Sequence, residues 1–513
     1  MCQWRSHLDP SYRCKVPAEP GSQYCILHEP GTKSIEAFRE KLYEQIEGSG
    51  PDSERNPSFD FTGYTFPRSD PDKRWYGCLI ALEHREDTAS ASEDPCQARA
   101  EHEYRLPREG NVALSFREAR IPEAVDISEH LRLGSVDFTD ARILGGVALQ
   151  GEVGGSVHFR SARVEGGVRL RHCRVGGDVD VRDARIESDF DLHHARIGGN
   201  VDCWRATIGG RVELVDAEVE GDVCLAETRL RNTSTPRFRG FELSFGLSVA
   251  GVAPPRLPLT ACLDGARIGG DVDFRHASCR GTVRCRRVRV EGGVRSVCAD
   301  IGGDIDLRWA KIAGTARFDM ARVGGSVSLR DSSIGGHARF TSVAVGKRAD
   351  FTECTIAGYV DLESAHVGDY AIFRYVQVRG GLGIVLQGST IGKSVSFRGA
   401  EISGRQVNLS YSRVGGNAYL GRASIAGLAN IAGATIGGYL SFGSSKIRGC
   451  LCRSSRIQGD VYLRLTDLGD KGASFRNAKV MGNVFLSYED SQPNVDLSEA
   501  EVRGSIAVLP AET

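Results

Sequence analysis

The chain has 513 residues and a formal net charge of −1, because 65 basic residues are balanced by 66 acidic ones. This balance argues against a protein that binds nucleic acid through a basic surface, and equally against an acidic DNA mimic. The 15 cysteines are an odd number without paired spacing after residue 28, which is typical of free thiols in a reducing compartment. No apolar signal segment begins the chain, and no apolar run is long enough for a transmembrane segment. We therefore expect a cytoplasmic protein.

Residues 1–31 concentrate the side chains that bind metals. The spacing Cys2-x11-Cys14-x10-Cys25-x2-His28 would supply three thiolates and one imidazole. Three thiolates and one imidazole form the closed shell of a structural zinc site. The sequence therefore predicts bound zinc, with His7 as the alternative fourth ligand if Cys2 does not reach the metal.

The segment that carries these ligands resembles two known headpieces. From Arg13 to His28 it is similar to the Cys3His knuckle of plant WRC domains, in which an Arg-Cys pair precedes a Cys-x2-His pair. It also resembles the short Cys/His headpiece of some prokaryotic pentapeptide-repeat proteins. The resemblance implies a zinc knuckle. DNA binding is not carried over, because the headpiece holds few cations: Arg5, Arg13, Lys15 and Lys33.

Two further segments precede the repeat. Residues 32–47 have apolar side chains at three- and four-residue steps: Ile35, Phe38, Leu42 and Ile46. This spacing predicts one amphipathic helix, which packs on the open end of the repeat or, alternatively, binds a partner. Residues 48–118 are predicted to form a polar linker, a first coil marked by alternating aromatic residues at 59–66, and an exposed loop at 83–103.

The rest of the chain, 119–508, repeats a unit of 11 residues. In ARIGGNVDCWR, which begins at Ala195, the first, third, seventh and ninth residues are small or apolar and the residues between them are mostly polar. Alternation at period two predicts short strands with one buried face. We expect the Gly-Gly pair at the fourth and fifth places to supply positive φ where the chain turns.

A single unit cannot bury its apolar face, so the units must stack as a solenoid. The Ala-Arg-Ile-Gly-Gly pattern resembles a pentapeptide repeat, in which a small residue and a large apolar one both point into a square right-handed β-helix. The second half of each unit departs from that family, because it has six residues and uses Val where the family prefers Ala. The predicted fold class is all-β: a right-handed β-helix solenoid with two units per coil, a Cys/His headpiece and one helix.

An apolar insertion interrupts the repeat at 229–261. It is rich in phenylalanine and contains Pro254, Pro255 and Pro258, which exclude a helix or a regular strand. We interpret the insertion as a loop that folds back over the repeat, with a protruding binding flap as the alternative.

The charged residues recur at fixed places of the 11-residue unit. Arg recurs at the second place and Asp at the eighth, as in Arg196 and Asp202, and we interpret them mainly as a solvated surface network. A catalytic site would break its repeat, so we predict no enzyme and no small-molecule substrate. The sequence favours a non-enzymatic binding or scaffold module with an unidentified protein partner. The alternatives are an enzyme with a site under the 229–261 flap, and a regulator of a nucleic-acid enzyme by surface mimicry.

Overall fold

The structure is a computed structural model. It describes residues 2–3, 14, 18–19, 23–25, 27–28, 37, 41, 58–66, 112–122, 124–127, 132–231, 259–487 and 494–508. The chain divides into two compact units, Met1–Leu247 and Ser248–Thr513. The strands of each unit form a right-handed parallel β-solenoid, which confirms the predicted fold class.

Each coil consists of four short strand positions separated by corners. We call these positions face 1 to face 4, in chain order from Arg120–Ile121 on face 1 and Val125–Ile127 on face 2; the strand Arg132–Asp137 passes through faces 3 and 4. Each strand pairs in parallel with the strand on the same face of the next coil. Residues 22 apart therefore lie side by side, as Arg174 and Arg196 do on face 3.

Unit one contains the following strands. Face 1 has Arg120–Ile121, Arg142–Ile143, Arg163–Val164, Arg185–Ile186, Thr207–Ile208 and Arg229–Leu230. Face 2 has Val125–Ile127, Val147–Leu149, Val168–Arg169, Phe190–Asp191 and Val212–Glu213. Face 3 has Glu152–Val153, Arg174–Val175, Arg196–Ile197 and Glu218–Val219, and face 4 has Ser58–Asp60, Val112–Ser115, Val157–His158, Val179–Asp180, Val201–Asp202 and Val223–Cys224.

Unit two repeats the same four positions. Face 1 has Ser278–Cys279, Asp300–Ile301, Arg322–Val323, Ala344–Val345, His366–Val367, Thr390–Ile391, Arg413–Val414, Thr435–Ile436, Arg456–Ile457, Lys479–Val480 and Glu501–Val502. Face 2 has Leu259–Cys262, Thr282–Arg284, Ile305–Asp306, Val327–Ser328, Ala349–Asp350, Ala371–Ile372, Val395–Ser396, Ala418–Tyr419, Leu440–Ser441, Val461–Leu463, Val484–Leu486 and Ile506–Val508.

The remaining strands of unit two lie on faces 3 and 4. Face 3 has Arg267–Ile268, Arg289–Val290, Lys311–Ile312, Ser333–Ile334, Thr355–Ile356, Gln377–Val378 and Glu401–Ile402. Face 4 has Val272–Asp273, Val294–Arg295, Ala316–Arg317, Ala338–Arg339, Val360–Asp361, Gly383–Val385, Gln406–Asn408, Ala473–Ser474 and Val495–Asp496. Ser424–Asn430 and Lys446–Leu451 pass through both faces, and Gly469–Lys471 is a short 3-10 helix.

The inward places of the repeat form the core. The four predicted inward residues of the unit that begins at Ala195 are all buried, which confirms the first, third, seventh and ninth places. Aromatic rings at the ninth place stack from coil to coil: the ring centroids of Phe116 and Phe138 are 5.0 Å apart, as are those of Phe138 and Phe159. Burial of all four inward places supplies the apolar contribution to stability, and the stacked rings add to it.

The role predicted for the Gly-Gly pair is wrong. Positive φ occurs instead at the eleventh place, for example 54° at His194, where the side chain points away from the core. Glycine is favoured at these places because successive coils approach closely: a Cβ on Gly198 would lie 2.5 Å from the carbonyl oxygen of Gly176. No larger residue fits there without moving the backbone of one coil away from the next.

The interpretation of the eighth-place carboxylates as a solvated surface network needs correction for the buried ones: Asp180, Asp191, Asp273 and Asp306. Asp191 is 2% exposed and accepts the backbone N–H of His193 at 3.1 Å. Asp202 accepts the N–H of Trp204 in the same way, at 2.9 Å. A carboxylate that bonds the backbone two residues on closes an Asx turn. These residues therefore hold the corners of the coil.

Three sequence-based predictions fall mainly on residues that the structure does not describe. Of the predicted helix at 32–47, only Ala37 and Lys41 are described, and both are helical. The predicted loop at 83–103 and residues 232–258 of the insertion lie outside the described residues.

Substitution of Ile197 by Asp tests the inward register. Ile197 is 1% exposed, so the new carboxylate would be buried without a partner, and we expect the free energy of unfolding to fall by about 3–5 kcal/mol. Arg196→Asp, one place away, removes an exposed ion pair with Glu218 of 3.2 Å and should cost less than about 1 kcal/mol. Equal losses of unfolding free energy in the two variants, measured by denaturant unfolding, would contradict the assignment of Ile197 to an inward place.

Asp191→Ala tests the corner carboxylates through its pH dependence. Burial alone would raise the pKa of Asp191, but hydrogen bonds from His193 and Arg171 outweigh burial and lower the pKa below 3.8. The stability contributed by this carboxylate is therefore complete above pH 3.8 and is lost as pH falls through the lowered pKa. We expect the substitution to cost about 2 kcal/mol at pH 7 and less near pH 3. An equal cost in denaturant unfolding at both pH values would contradict this role.

Candidate metal centre

Backbone hydrogen bonds connect the described residues of the headpiece. The N–H of Gln3 donates to the carbonyl of Gln23 at 2.8 Å, which brings the N-terminal segment beside the turn that contains Cys25. Within that turn, the N–H of His28 donates to the carbonyl of Cys25 at 3.0 Å. Cys2 is thereby placed next to the Cys-x2-His pair.

The structure brings the four predicted ligands together: the ligand atoms of Cys2, Cys14, Cys25 and His28 all lie within 4.8 Å of one another. The Sγ atoms of Cys14 and Cys25 are 3.7 Å apart, and His28 Nδ1 is 3.1 Å from Cys25 Sγ and 3.8 Å from Cys2 Sγ. In a tetrahedral zinc site, bond lengths of about 2.3 Å to sulfur and 2.0 Å to nitrogen place S–S pairs about 3.8 Å apart and S–N pairs about 3.5 Å apart. The group therefore fits one metal ion.

The thiol of Cys25 is prepared for metal binding. The hydrogen bond with Cys14 and the neighbouring His28 outweigh burial and lower the pKa of Cys25 to about 3. A thiolate is the form of cysteine that binds a metal. Cys2, Cys25 and His28 are buried and Cys14 is half-buried, so that bulk water has little access to the group.

The ring of His28 is oriented by a partner that the sequence did not reveal. His28 Nε2 lies 3.3 Å from the carbonyl oxygen of Thr62. A carbonyl can only accept, so Nε2 carries the hydrogen and Nδ1 presents its lone pair to the cysteines. Histidine ligands of protein-bound metals commonly donate their second N–H to a backbone carbonyl in this way.

The described headpiece residues Leu27 and His28 contact residues 58–66, which belong to the first described coil. The N–H of Thr65 donates to the carbonyl of Leu27 at 2.7 Å, and Leu27 is fully buried. The ring of His28 meets the ring of Tyr64 edge-on, with 5.3 Å between the centroids. The candidate ligand His28 is therefore part of the packing against the first described coil of the repeat.

The turn that positions Thr62 had a recognisable signal in the sequence. Asp60 and Thr62 have the Asp-x-Thr spacing of the coil corner at Asp137 and Thr139, and in both pairs the Asp carboxylate accepts the N–H of the Thr. The contact with His28 had no such signal, because the acceptor is a backbone atom that every residue possesses.

A second cluster, Asp191, His193 and Glu213, also has ligand atoms within 4.8 Å of one another. Its groups already bind each other: His193 Nδ1 lies 2.7 Å from Asp191 Oδ1, and Arg171 donates to the other carboxylate oxygen. Arg211 lies 3.4 Å from Glu213. Two guanidinium groups repel a metal cation, so we describe this cluster as an ion-pair network on face 2 of unit one.

Other predicted site features lie outside the described residues. His7, the alternative ligand, is among them, as are residues 232–258 of the insertion. An enzyme site under the flap therefore stays a prediction.

No protein-family model matches the chain, and no curated protein matches it. No helix within the described part of the chain combines the length and the apolar character needed to cross a bilayer.

Proposed function

We propose that this chain is a non-catalytic binding or scaffold protein of the pentapeptide-repeat kind, which holds a protein partner on face 2 of unit two. The observation that carries the proposal is a change in that face. On the described strands of face 2 from Tyr370 to Ala507, the outward sixth and eighth places contain one charged residue, Asp460. Preceding coils present charged residues at the same places: Asp304, Asp306, Arg348 and Asp350.

We call the outward sixth and eighth places of face 2, from Tyr370 to Ala507, the neutral face. Aromatic rings take the place of charged residues there. The rings of Tyr419, Tyr439, Tyr462 and Phe485 form a half-buried column, with successive centroids 5.2, 5.8 and 5.0 Å apart. The other outward places in these coils are mainly hydroxyl and amide residues: Ser394, Ser396, Asn417, Ser441, Asn483 and Ser505.

The polar groups of the neutral face are bonded to one another. The hydroxyl of Tyr439 donates to that of Tyr419 at 2.8 Å, and burial together with this contact raises the pKa of Tyr439 to about 12. Asp460 accepts the N–H of Asn483 at 2.7 Å and the hydroxyl of Tyr462 at 2.9 Å. Among these residues, no general base or nucleophile is poised for reaction, which favours binding over catalysis.

The composition of the neutral face suits a protein partner. Depletion of charge together with enrichment in aromatic residues is the compositional signal of protein interfaces. Tyrosine offers a large contact area at a small entropic cost, and serine and asparagine add adaptable hydrogen bonds. A charged partner would lose hydration here without gaining counter-charges. The partner surface is therefore uncharged and polar.

Paired variants test this function. Tyr439→Ser with Tyr462→Ser removes two rings from the neutral face, whereas Arg413→Ser with Arg456→Ser alters face 1 of nearby coils. We expect the first pair to weaken capture of the partner by at least about tenfold, because buried tyrosines are frequent hot spots, and the second pair to leave it unchanged.

Quantitative affinity capture from cell extract, with unfolding curves to confirm that both proteins are folded, measures the difference. A protein captured equally by the two variants is not held by the neutral face, and that outcome would contradict the proposal.

We propose in addition that Cys2, Cys14, Cys25 and His28 hold a structural zinc ion. Three thiolates and one imidazole are the donors of closed structural sites, and the distances among them suit one zinc ion. Zinc bound here would cross-link the headpiece and supply no reaction chemistry. The ligand thiols must be reduced, which supports a cytoplasmic location.

Metal analysis tests the zinc proposal. Protein purified under reducing, zinc-replete conditions should contain about one zinc ion per chain, and Cys25→Ser should lose it because the shell falls to three ligands. Cys298→Ser is the matched control, since Cys298 is a half-buried free cysteine on a corner of unit two. Absence of zinc from the wild-type protein would contradict the proposed zinc site.

A further inference from the structure

Neighbouring coils are joined at one corner by two backbone hydrogen bonds. The eleventh-place N–H of one coil donates to the tenth-place carbonyl of the next, as Glu118 does to Thr139 at 2.9 Å. The second-place N–H donates back to the first-place carbonyl of the preceding coil, as Arg142 does to Ala119 at 2.8 Å. Within the described residues, no coil precedes the one that contains Ser58–Asp60.

The headpiece supplies both of the groups that a preceding coil would offer. By position in the coil, Thr62 corresponds to Thr139 and Thr65 to Arg142. The N–H of Thr65 donates to the carbonyl of Leu27 at 2.7 Å, and Nε2 of His28 donates to the carbonyl of Thr62 at 3.3 Å. Two consecutive headpiece residues therefore take the place of a coil corner, one through its backbone and the other through its imidazole.

We infer that the metal centre is the end cap of this solenoid, and that His28 couples metal binding to closure of the first coil. The inference rests on the proposed zinc binding. Nδ1 of His28 binds the metal while its Nε2–H replaces a backbone N–H of the repeat. Coupling of this kind is reciprocal, so the metal fixes the ring against the coil and the coil fixes the ring for the metal. The metal thereby protects a strand edge that would otherwise be open to other chains.

The same geometry makes Asp60 a positioning residue for the metal. Its carboxylate accepts the N–H of Thr62 at 3.0 Å and also the hydroxyl of Thr62. These bonds fix the direction of the carbonyl that receives His28 Nε2–H. Asp137 accepts the N–H of Thr139 at 2.8 Å in an equivalent turn two coils further on, and none of its described contacts is with a metal ligand.

Zinc affinity of the full chain tests the inference. Competition with a chromophoric chelator should show that Asp60→Ala weakens zinc binding by about 10- to 100-fold, which is the usual effect of losing support around a ligand. Asp137→Ala removes an equivalent turn and should bind zinc as the wild type does. Equal affinities in the two variants would overturn the role of Asp60 and the coupling through Thr62.

A milder pair covers the case in which Asp60→Ala disrupts the first coil. Thr62→Val keeps the backbone and removes the hydroxyl bonds to Asp60 and Ser115. Its control is Thr352→Val, because the N–H and the hydroxyl of Thr352 donate to Asp350 in the same way. We expect weaker zinc binding in Thr62→Val alone, and equal binding in both would overturn the inference. Wild-type protein that binds no zinc would overturn the zinc proposal itself, and is distinguishable from these outcomes.

Discussion

Close parallel stacking of the coils is the constraint on which the rest of the structure depends. Backbone hydrogen bonds hold parallel strands about 4.8 Å apart, and every side chain must fit that repeat. Glycine predominates at the fourth and fifth places because a Cβ would meet the backbone of the preceding coil, as at Gly198. Rings stack at 5.0 Å in the column of Phe116 and Phe138 for the same reason. A substitution that interrupts the stacking removes contacts with both neighbouring coils.

The stacking constraint is weakest at the outer surface and at the ends of the solenoid, where side chains can vary from coil to coil. Outward side chains are not part of the apolar core, so face 2 of unit two can carry the neutral column of Tyr419, Tyr439 and Tyr462 in place of charged residues while the inward places stay apolar. An end, by contrast, leaves backbone groups without partners. In unit one, Leu27 and His28 supply those partners. Function in such a fold is therefore expected where the repeat changes or stops.

The sequence predicted the features that follow from the side-chain pattern, namely burial and ligand identity. It did not predict the features that follow from the positions of backbone atoms. Alternation identified Ile197 as buried, and residue type and spacing identified the four candidate ligands that the structure brings together. The pattern could not show that His194 takes positive φ while Gly198 does not, because close approach of two coils is a tertiary property. It could not show the bond from His28 to Thr62 either, since a carbonyl has no sequence identity.

The central claim is that the metal-held headpiece acts as a substitute coil. Amide hydrogen exchange in the zinc-loaded and the chelator-treated protein tests it most directly. The amide of Thr65, which donates to Leu27, should lose protection when the metal is removed, while the amide of His194, which donates to Val215 within the solenoid at 2.9 Å, should keep it. Unchanged protection of Thr65 after confirmed removal of the metal, or equal loss at both amides, would contradict the account.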